Sequence, residues 1–454
     1  MKNILLSGLL RLFWCSSPTK NPFTDFALVK NTNAGWRPTT KKQDSYIQQQ
    51  QRQRTTNNYQ LTTNNYIVMK TLAFLLALSA FAATAQTIRI ADNNANRPTG
   101  ANIYSTIQAA VDAALPGETV YITPSLTNYG NVTISKRIKL VGVGFNTPEL
   151  GGRYSGLNNI TLLSSADGVN SVSNSEFRGF NFYDFMFTAG GVGVLPYNDI
   201  LIENISGRWI THSGAHNSIN NLTIRNCYLS LGIHIERPNT DTKLYKNVIL
   251  ATVCCAFDAV YINNSINALV SNNLIYWNSG LSNMINILNS VNARFEHNLV
   301  SGGGPAFRNL LNTPVTNNIF YGVDPRTVNT STTFRDNVFS HNLVVPGFTI
   351  PPAANGGGTN SGIGNILDVS PLFVNGPPSA TTWAGNYNYS FPNSSPCFQG
   401  ATTGDNIGPS GGLYPLPVNV VFNPTAVPLI TLFDNTGVVP QNQPLKSNIK
   451  AKAN

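Results

Sequence analysis

ILIENIS (200–206), LTIRNCY (222–228), KLYKNVI (243–249), LVSNNLI (269–275), ARFEHNLV (293–300), PVTNNIF (314–320) and TFRDNVF (333–339) are one short pattern written seven times. Each copy runs strand-forming residues, a polar residue, an asparagine and an apolar residue. The asparagines (204, 226, 247, 273, 298, 318, 337) follow one another at intervals of 22, 21, 26, 25, 20 and 19 residues. A fixed period of this size marks a solenoid. No 3.6-residue periodicity fills the gaps, so helical solenoids do not fit. A unit of this length goes once around a coil and returns about 4.8 Å above its start, where it pairs as a parallel strand. An asparagine at the same point of each coil can stack, each amide bonding the next, and it tolerates the left-handed turn conformation. The apolar residues after them (Ile205, Cys227, Val248, Leu274, Leu299, Ile319, Val338) are expected to point into the bore. An antiparallel sandwich with Asn-rich turns is the competing fold.

A second recurrence has period 2: GIHIE (232–236), AVYIN (259–263), MINIL (284–288) and AFRNL (306–310). Aligned, they send Ile233, Val260, Ile285 and Phe307 inward and His234, Tyr261, Asn286 and Arg308 outward as a row. Solenoid ends need caps. STIQAAVDAA (105–114) reads as an amphipathic capping helix with Ser105 as N-cap and Ile107, Ala110, Val111 and Ala114 on one face. Pro116-Gly117 ends it, TVYIT (119–123) is a strand, and NVTISKRIKLVGVG (131–144) opens the coil. The predicted fold is all-β: a right-handed parallel β-helix, a solenoid with a short N-terminal capping helix, over residues 86–412.

The 454-residue chain is 11% charged with a net charge of +9. So little charge excludes a disordered polyelectrolyte and a coiled coil. Residues 1–86 hold 10 Lys/Arg against 2 acids; residues 87–454 hold 19 against 18. The basic excess therefore belongs to the front of the chain, and no basic surface for nucleic acid is expected on the rest. MKTLAFLLALSAFAATAQ (69–86) has a charged start at Lys70, a twelve-residue apolar run from Leu72 to Ala83 and the small-x-small site Ala83-Thr84-Ala85. These are the parts of a signal peptide, too short to span a bilayer. We therefore expect a signal peptide at 69–85, a translated leader or disordered extension at 1–68, and a secreted or cell-surface protein with no transmembrane segment. Cys227, Cys254, Cys255 and Cys397 contain no C-x-x-C, so zinc and thioredoxin-like readings lack support. The vicinal pair Cys254-Cys255 reads as packing. Residues 413–454 form a Pro-rich C-terminal tail ending KSNIKAKAN.

Two further stretches carry a resemblance. YSTIQAAVDAALPGETVYI…YGNVTISKRIKLVGVG (104–144) is similar to the opening of right-handed parallel β-helix proteins of the pectate-lyase-like superfamily, the pectin-lyase fold. NILDVSPLFVN…YNYSFPNSSPCFQGATTGDNIGPSGG (365–412) resembles the closing segment of secreted bacterial members, with Ser370 where Asp is usual and Phe398-Gln399 where an apolar-Asp pair is usual. The resemblance implies a partner: an acidic polysaccharide or cell-surface glycan. For a lyase it also implies Ca²⁺ on clustered carboxylates with Arg or Lys as base. Calcium takes six to eight oxygens. No two of the 18 acids after residue 86 are adjacent and no D-x-D occurs, so no cofactor is assignable from the sequence. The hydrolase motifs fare no better. NTD (239–241) and RIK (137–139) stand in reversed order without DD or GHG, so RIK reads as a strand and NTD as a turn.

One cluster carries chemistry. Arg208, Trp209, His212, His216, His234, Glu236, Arg237, Asp258 and Tyr261 fall on three successive coils, and Arg308 continues the outward row. His234 and Glu236, two apart, share a strand face. Arg, His and an aromatic within reach of one sugar suit an anionic glycan, and a histidine there can act as a general base. A metal pair from His212 and His216 would need a helix. Three readings stay open: a carbohydrate-interacting surface protein without an assignable catalytic constellation, a polysaccharide lyase or glycoside hydrolase, and a structural or adhesive rod. The chain is read as a monomer.

Overall fold

The computed structural model describes residues 45, 48–55, 87–145, 150–164, 171–189, 195–212, 218–251, 258–277, 285–327, 333–377, 379–380, 387–416, 429–435 and 447–452. The chain forms two units, Met1–Thr84 and Ala85–Asn454. In the first, residues 48–55 are helical. The expected signal peptide, nearly all of the leader, His216 and the Cys254-Cys255 pair lie outside the described residues.

The second unit is an all-β parallel solenoid. Among the described residues its strands form sheets of twelve, sixteen and four strands, with a separate two-stranded pair near the C-terminus. One coil shows the path. Thr223–Arg225 lies on the twelve-stranded sheet, and Asn226 turns the chain at φ 52°. Tyr228–Ile235 crosses the sixteen-stranded sheet, and Asn239–Thr240 the four-stranded one. Asp241 turns again, and Lys243–Tyr245 arrives in parallel register, Thr223 opposite Lys243 and Arg225 opposite Tyr245. The eight-residue strand Tyr228–Ile235 is a fork. Its start pairs with Val248–Ala251 and its end with Val260–Asn263, so the large sheet divides into two columns from this coil onward.

Alternation fills the bore. Ile202, Ile224, Leu244, Val270, Phe295, Val315 and Phe339 stack coil on coil along one sheet. Ile210, Ile233, Val260, Ile285 and Phe307 stack along the other. Each fully buried side chain contributes about 1.5–3 kcal/mol. That burial offsets the entropy of ordering short strands that could not fold alone.

The corner after the twelve-stranded sheet corrects the expected asparagine column. Two adjacent positions share the task. The first holds the left-handed turn: Asn204, Asn226, Lys246, Asn272, His297, Asn317 and His341, all with φ of 52–58°. The second points into the bore: Ile205, Cys227, then Asn247, Asn273, Asn298, Asn318, Asn342 and Asn365. Each of these inner asparagines up to Asn342 donates its backbone N–H and its Nδ2 to the Oδ1 of the next, at 2.9–3.1 Å. Asn204 and Asn226 therefore stand one place earlier than Asn247, because the first two coils put an apolar residue where the later ones put the ladder. Asn337 belongs to a different corner, in a second ladder with Thr313 and Asn360.

Five of the seven residues expected in the bore lie elsewhere. With the ladder asparagine turned in, the next residue turns out. Val248, Leu274, Leu299 and Ile319 lie on the outer side of the column, in a second core with Leu343, Tyr389, Cys397, Ala401, Ile407 and Leu416. Val338 is 41% exposed. Only Ile205 and Cys227 of the seven face the bore. The segment around 371–416 thus covers one outer face. Asn272 Nδ2 donates to the Pro409 carbonyl at 3.0 Å, Asn317 Nδ2 to Thr402 Oγ1 at 3.1 Å, and Tyr414 stacks on Tyr245 at 4.1 Å.

At the other end, helix Ile107–Ala113 buries Ile107, Ala110 and Val111 in the main core. Its N-cap is Thr106, not the expected Ser105: the Thr106 hydroxyl accepts from the Ala109 N–H at 3.2 Å. In the tail, Leu429–Asn435 and Ser447–Lys452 form an antiparallel pair. Among the described residues, no helix is long and apolar enough to cross a membrane.

Candidate functional site

The expected outward row forms on the large sheet. Thr211 stands opposite His234, His234 opposite Tyr261 and Tyr261 opposite Asn286. A register shift after Ile285 then places Asn309, not Arg308, opposite Asn286. Arg308 is the extra residue of that bulge, a device that re-aims a side chain. Its Nη1 lies 3.7 Å from Asp258 Oδ2.

The aromatic part of the row is continuous. Trp209 meets the His234 ring edge-to-face at 5.6 Å, and His234 meets Tyr261 edge-to-face at 4.2 Å. Glu236 Oε1 is 3.7 Å from His234 Nδ1. Burial lowers the His234 pKa, and the Glu236 charge opposes that shift only in part. The imidazole is therefore held toward its neutral form, able to accept a proton. Burial raises the Tyr261 phenol, helped by the charges of Glu236 and Asp258.

Cations flank this strip on both sides. Arg208 sits in a bulge between Gly207 and Trp209. Its Nε is 3.7 Å from Asp184 Oδ1, and its guanidinium lies 4.0 Å above the Tyr183 ring, with Nη1 bonded to the Tyr183 hydroxyl. On the far side Asp258 is 4% exposed. Burial pushes its pKa up, while the Asn286 hydrogen bond and Arg308 pull it down. A directed chain of hydrogen bonds ends on it. Thr333 Oγ1 donates to Asn309 Oδ1 (2.7 Å), Asn309 Nδ2 to Asn286 Oδ1 (3.1 Å), and Asn286 Nδ2 to Asp258 Oδ2 (3.0 Å).

Of the ten residues named from the sequence, seven, Arg208, Trp209, His234, Glu236, Asp258, Tyr261 and Arg308, thus fall on one stretch of the solenoid's outer side, while Arg237 follows the strand Tyr228–Ile235 and His216 lies outside the described residues. His212 does not face outward. It is 1% exposed and packs in the core against Phe187 and Tyr197. It shares the inward parity of Ile210, which strand alternation alone would have indicated. Sequence reading missed Tyr183, Asp184, Asn309 and Thr333. Asp184 stands directly opposite Trp209 one coil earlier, but the corner before it, matching Asn204, is held by Gly179 at φ 71°, so no asparagine marks that register in the sequence. Among the described residues no three His, Cys, Asp or Glu side chains gather as a metal site. The NTD and RIK matches lie apart on structural elements: Asn239–Thr240 is a strand with Asp241 a turn, and Lys139 begins the strand Lys139–Val141.

No family model matches the chain, and no curated protein does either. Among solved structures, the A-module of a mannuronan C-5 epimerase from Azotobacter vinelandii aligns at 14% identity over 60% of this chain and 95% of that one, with a TM-score of 0.26. A likeness at that score bears on no residue of the site.

Proposed function

We propose that this is an exported β-helix protein of the pectate-lyase-like type that holds an anionic polysaccharide on the outer face of its large sheet. The observation that carries the reading is the Trp209–His234–Tyr261 strip with an arginine at each side, Arg208 and Arg308. Aromatic rings offer apolar faces to the C–H side of a pyranose, and guanidinium groups match carboxylates. Successive coils step by about 4.8 Å, close to one sugar residue, so a glycan lying along the solenoid axis meets one row position per sugar. No catalytic constellation is assigned.

Calorimetric titration of the full chain with polygalacturonate and alginate oligosaccharides tests this. His234→Ala and Tyr261→Ala are each expected to weaken binding roughly tenfold. Binding that survives both variants overturns the site. A lyase is the second reading, favoured by an imidazole, that of His234, which burial holds toward its neutral form against the Tyr261 ring. The ultraviolet absorbance of an unsaturated uronate appearing during the titration would establish it in place of binding alone. Export through cleavage before Gln86 is tested by N-terminal sequencing of secreted material, where a first residue among the first twenty would refute it.

A further inference from the structure

One strand beyond Arg308 the solenoid opens a cleft of about 520 Å³ between strand Asp324–Thr327 and the segment 347–355. Its volume lies within the range of small-molecule sites, about 300–1,000 Å³. Thr327 Oγ1 donates to the Arg308 carbonyl at 2.7 Å, which ties the cleft wall to the neighbouring coil. Asp324 is 8% exposed, and its two oxygens are oriented from within the strand: Arg326 Nε contacts Oδ2 at 2.7 Å, and the Arg326 N–H donates to Oδ1 at 3.0 Å. Each carboxylate oxygen still has acceptor capacity. Across the cleft Phe348 packs against the main core while lining the opening. Asn355, also lining it, is fixed by backbone bonds with Phe334 in both directions, at 2.8 and 3.3 Å.

A carboxylate, a guanidinium and an aromatic ring around one small cleft match the surface of a pyranose. Its hydroxyls donate to the carboxylate and accept from the guanidinium, and its C–H face covers the ring. The charges of Asp324 and Arg326 cancel, so the cleft offers no net attraction to an anion. We propose that this cleft binds a single neutral sugar ring, independently of any polyanion on the row.

Saturation-transfer NMR on the full chain tests it, with methyl glycosides of glucose, galactose and mannose as neutral probes and of galacturonic acid as the charged one. At least one neutral glycoside is expected to receive saturation, and the uronate to receive less. Asp324→Asn and Phe348→Leu are each expected to weaken binding about tenfold, the loss of one charge-assisted bond or one stacked face. Ala353→Trp, which blocks the rim without removing a contact, should abolish it, and Tyr261→Ala should leave it unchanged. Circular dichroism checks that each variant folds. The proposal is overturned if no neutral glycoside binds, if the uronate is preferred, or if binding persists in folded Phe348→Leu and Ala353→Trp proteins. Loss of cleft binding in Tyr261→Ala would also overturn its independence from the row.

Discussion

Asn298→Leu strikes the inner ladder at its centre. Asn298 Oδ1 accepts from the Asn273 N–H and Nδ2, both at 3.0 Å, while its Nδ2 donates to the Val270 carbonyl at 2.9 Å and to Asn318 Oδ1 at 3.1 Å. Leucine has similar bulk and none of these bonds. The Asn273 N–H loses its acceptor in the dry bore, and the Val270 carbonyl loses a donor. The Val270 carbonyl stays in its parallel ladder with Arg294–Glu296, so the orphaned group is the Asn273 N–H, and a buried polar group left unpaired costs about 1–3 kcal/mol. Against a typical stability of about 5–15 kcal/mol that is a large fraction. Asn226→Gly is the control. Asn226 holds a turn at φ 52°, a conformation glycine adopts freely, so its replacement should cost about 1 kcal/mol or less. Urea unfolding followed by far-ultraviolet circular dichroism compares the two, with amide exchange at Asn273 as the local readout. Equal losses, or less than about 1 kcal/mol for Asn298→Leu, would refute the division of the corner into a turn position and a ladder position.

Burial lowers the pKa of both His234 and His297 from the ordinary 6.5, so the unfolded chain takes up these protons before the folded one. Stability from these groups is complete above about 6.5 and should decline as pH falls below it; urea midpoints between pH 8 and 5 check this, and His297→Gln should flatten the slope. Cys227 and Cys397 are buried thiols pushed up to about 12, so native protein at neutral pH should leave both unalkylated by iodoacetamide and urea should expose both to it, as peptide mass spectrometry will read. Ile407→Ala removes a fully buried side chain from the second core and should cost about 2–5 kcal/mol. Its expected signature is early proteolysis within 371–416 while the solenoid strands stay protected.

The period of the asparagines and the alternation of the strands were enough to read a parallel solenoid and the order His234, Tyr261, Asn286. What they left unread has local causes. In LVSNNLI and PVTNNIF both corner positions are asparagine, one for the turn and one for the ladder. Where only one is asparagine, the pattern does not say which. Ile205 and Cys227 imitate the apolar residue that follows the ladder in later coils. Val248, Leu274, Leu299 and Ile319 are apolar because a segment roughly a hundred residues downstream covers them, and no local pattern carries that information. The bulge that displaces Arg308 in favour of Asn309 inserts one residue in a strand whose composition stays ordinary. His212, by contrast, was legible: it keeps the inward parity of Ile210.

The stacking of coils on which the site depends can be measured by cross-linking. Thr223 and Lys243 stand opposite one another on the outer side of adjacent parallel strands. Their Cα atoms are then about 4.8 Å apart, within the range of about 4.4–6.8 Å that a disulfide needs. Leu244, the next residue, points into the bore. Under mild oxidation the Thr223→Cys/Lys243→Cys protein should form a mapped disulfide, and the Thr223→Cys/Leu244→Cys protein should not. Bridging in the second pair, or none in the first, would contradict the solenoid register.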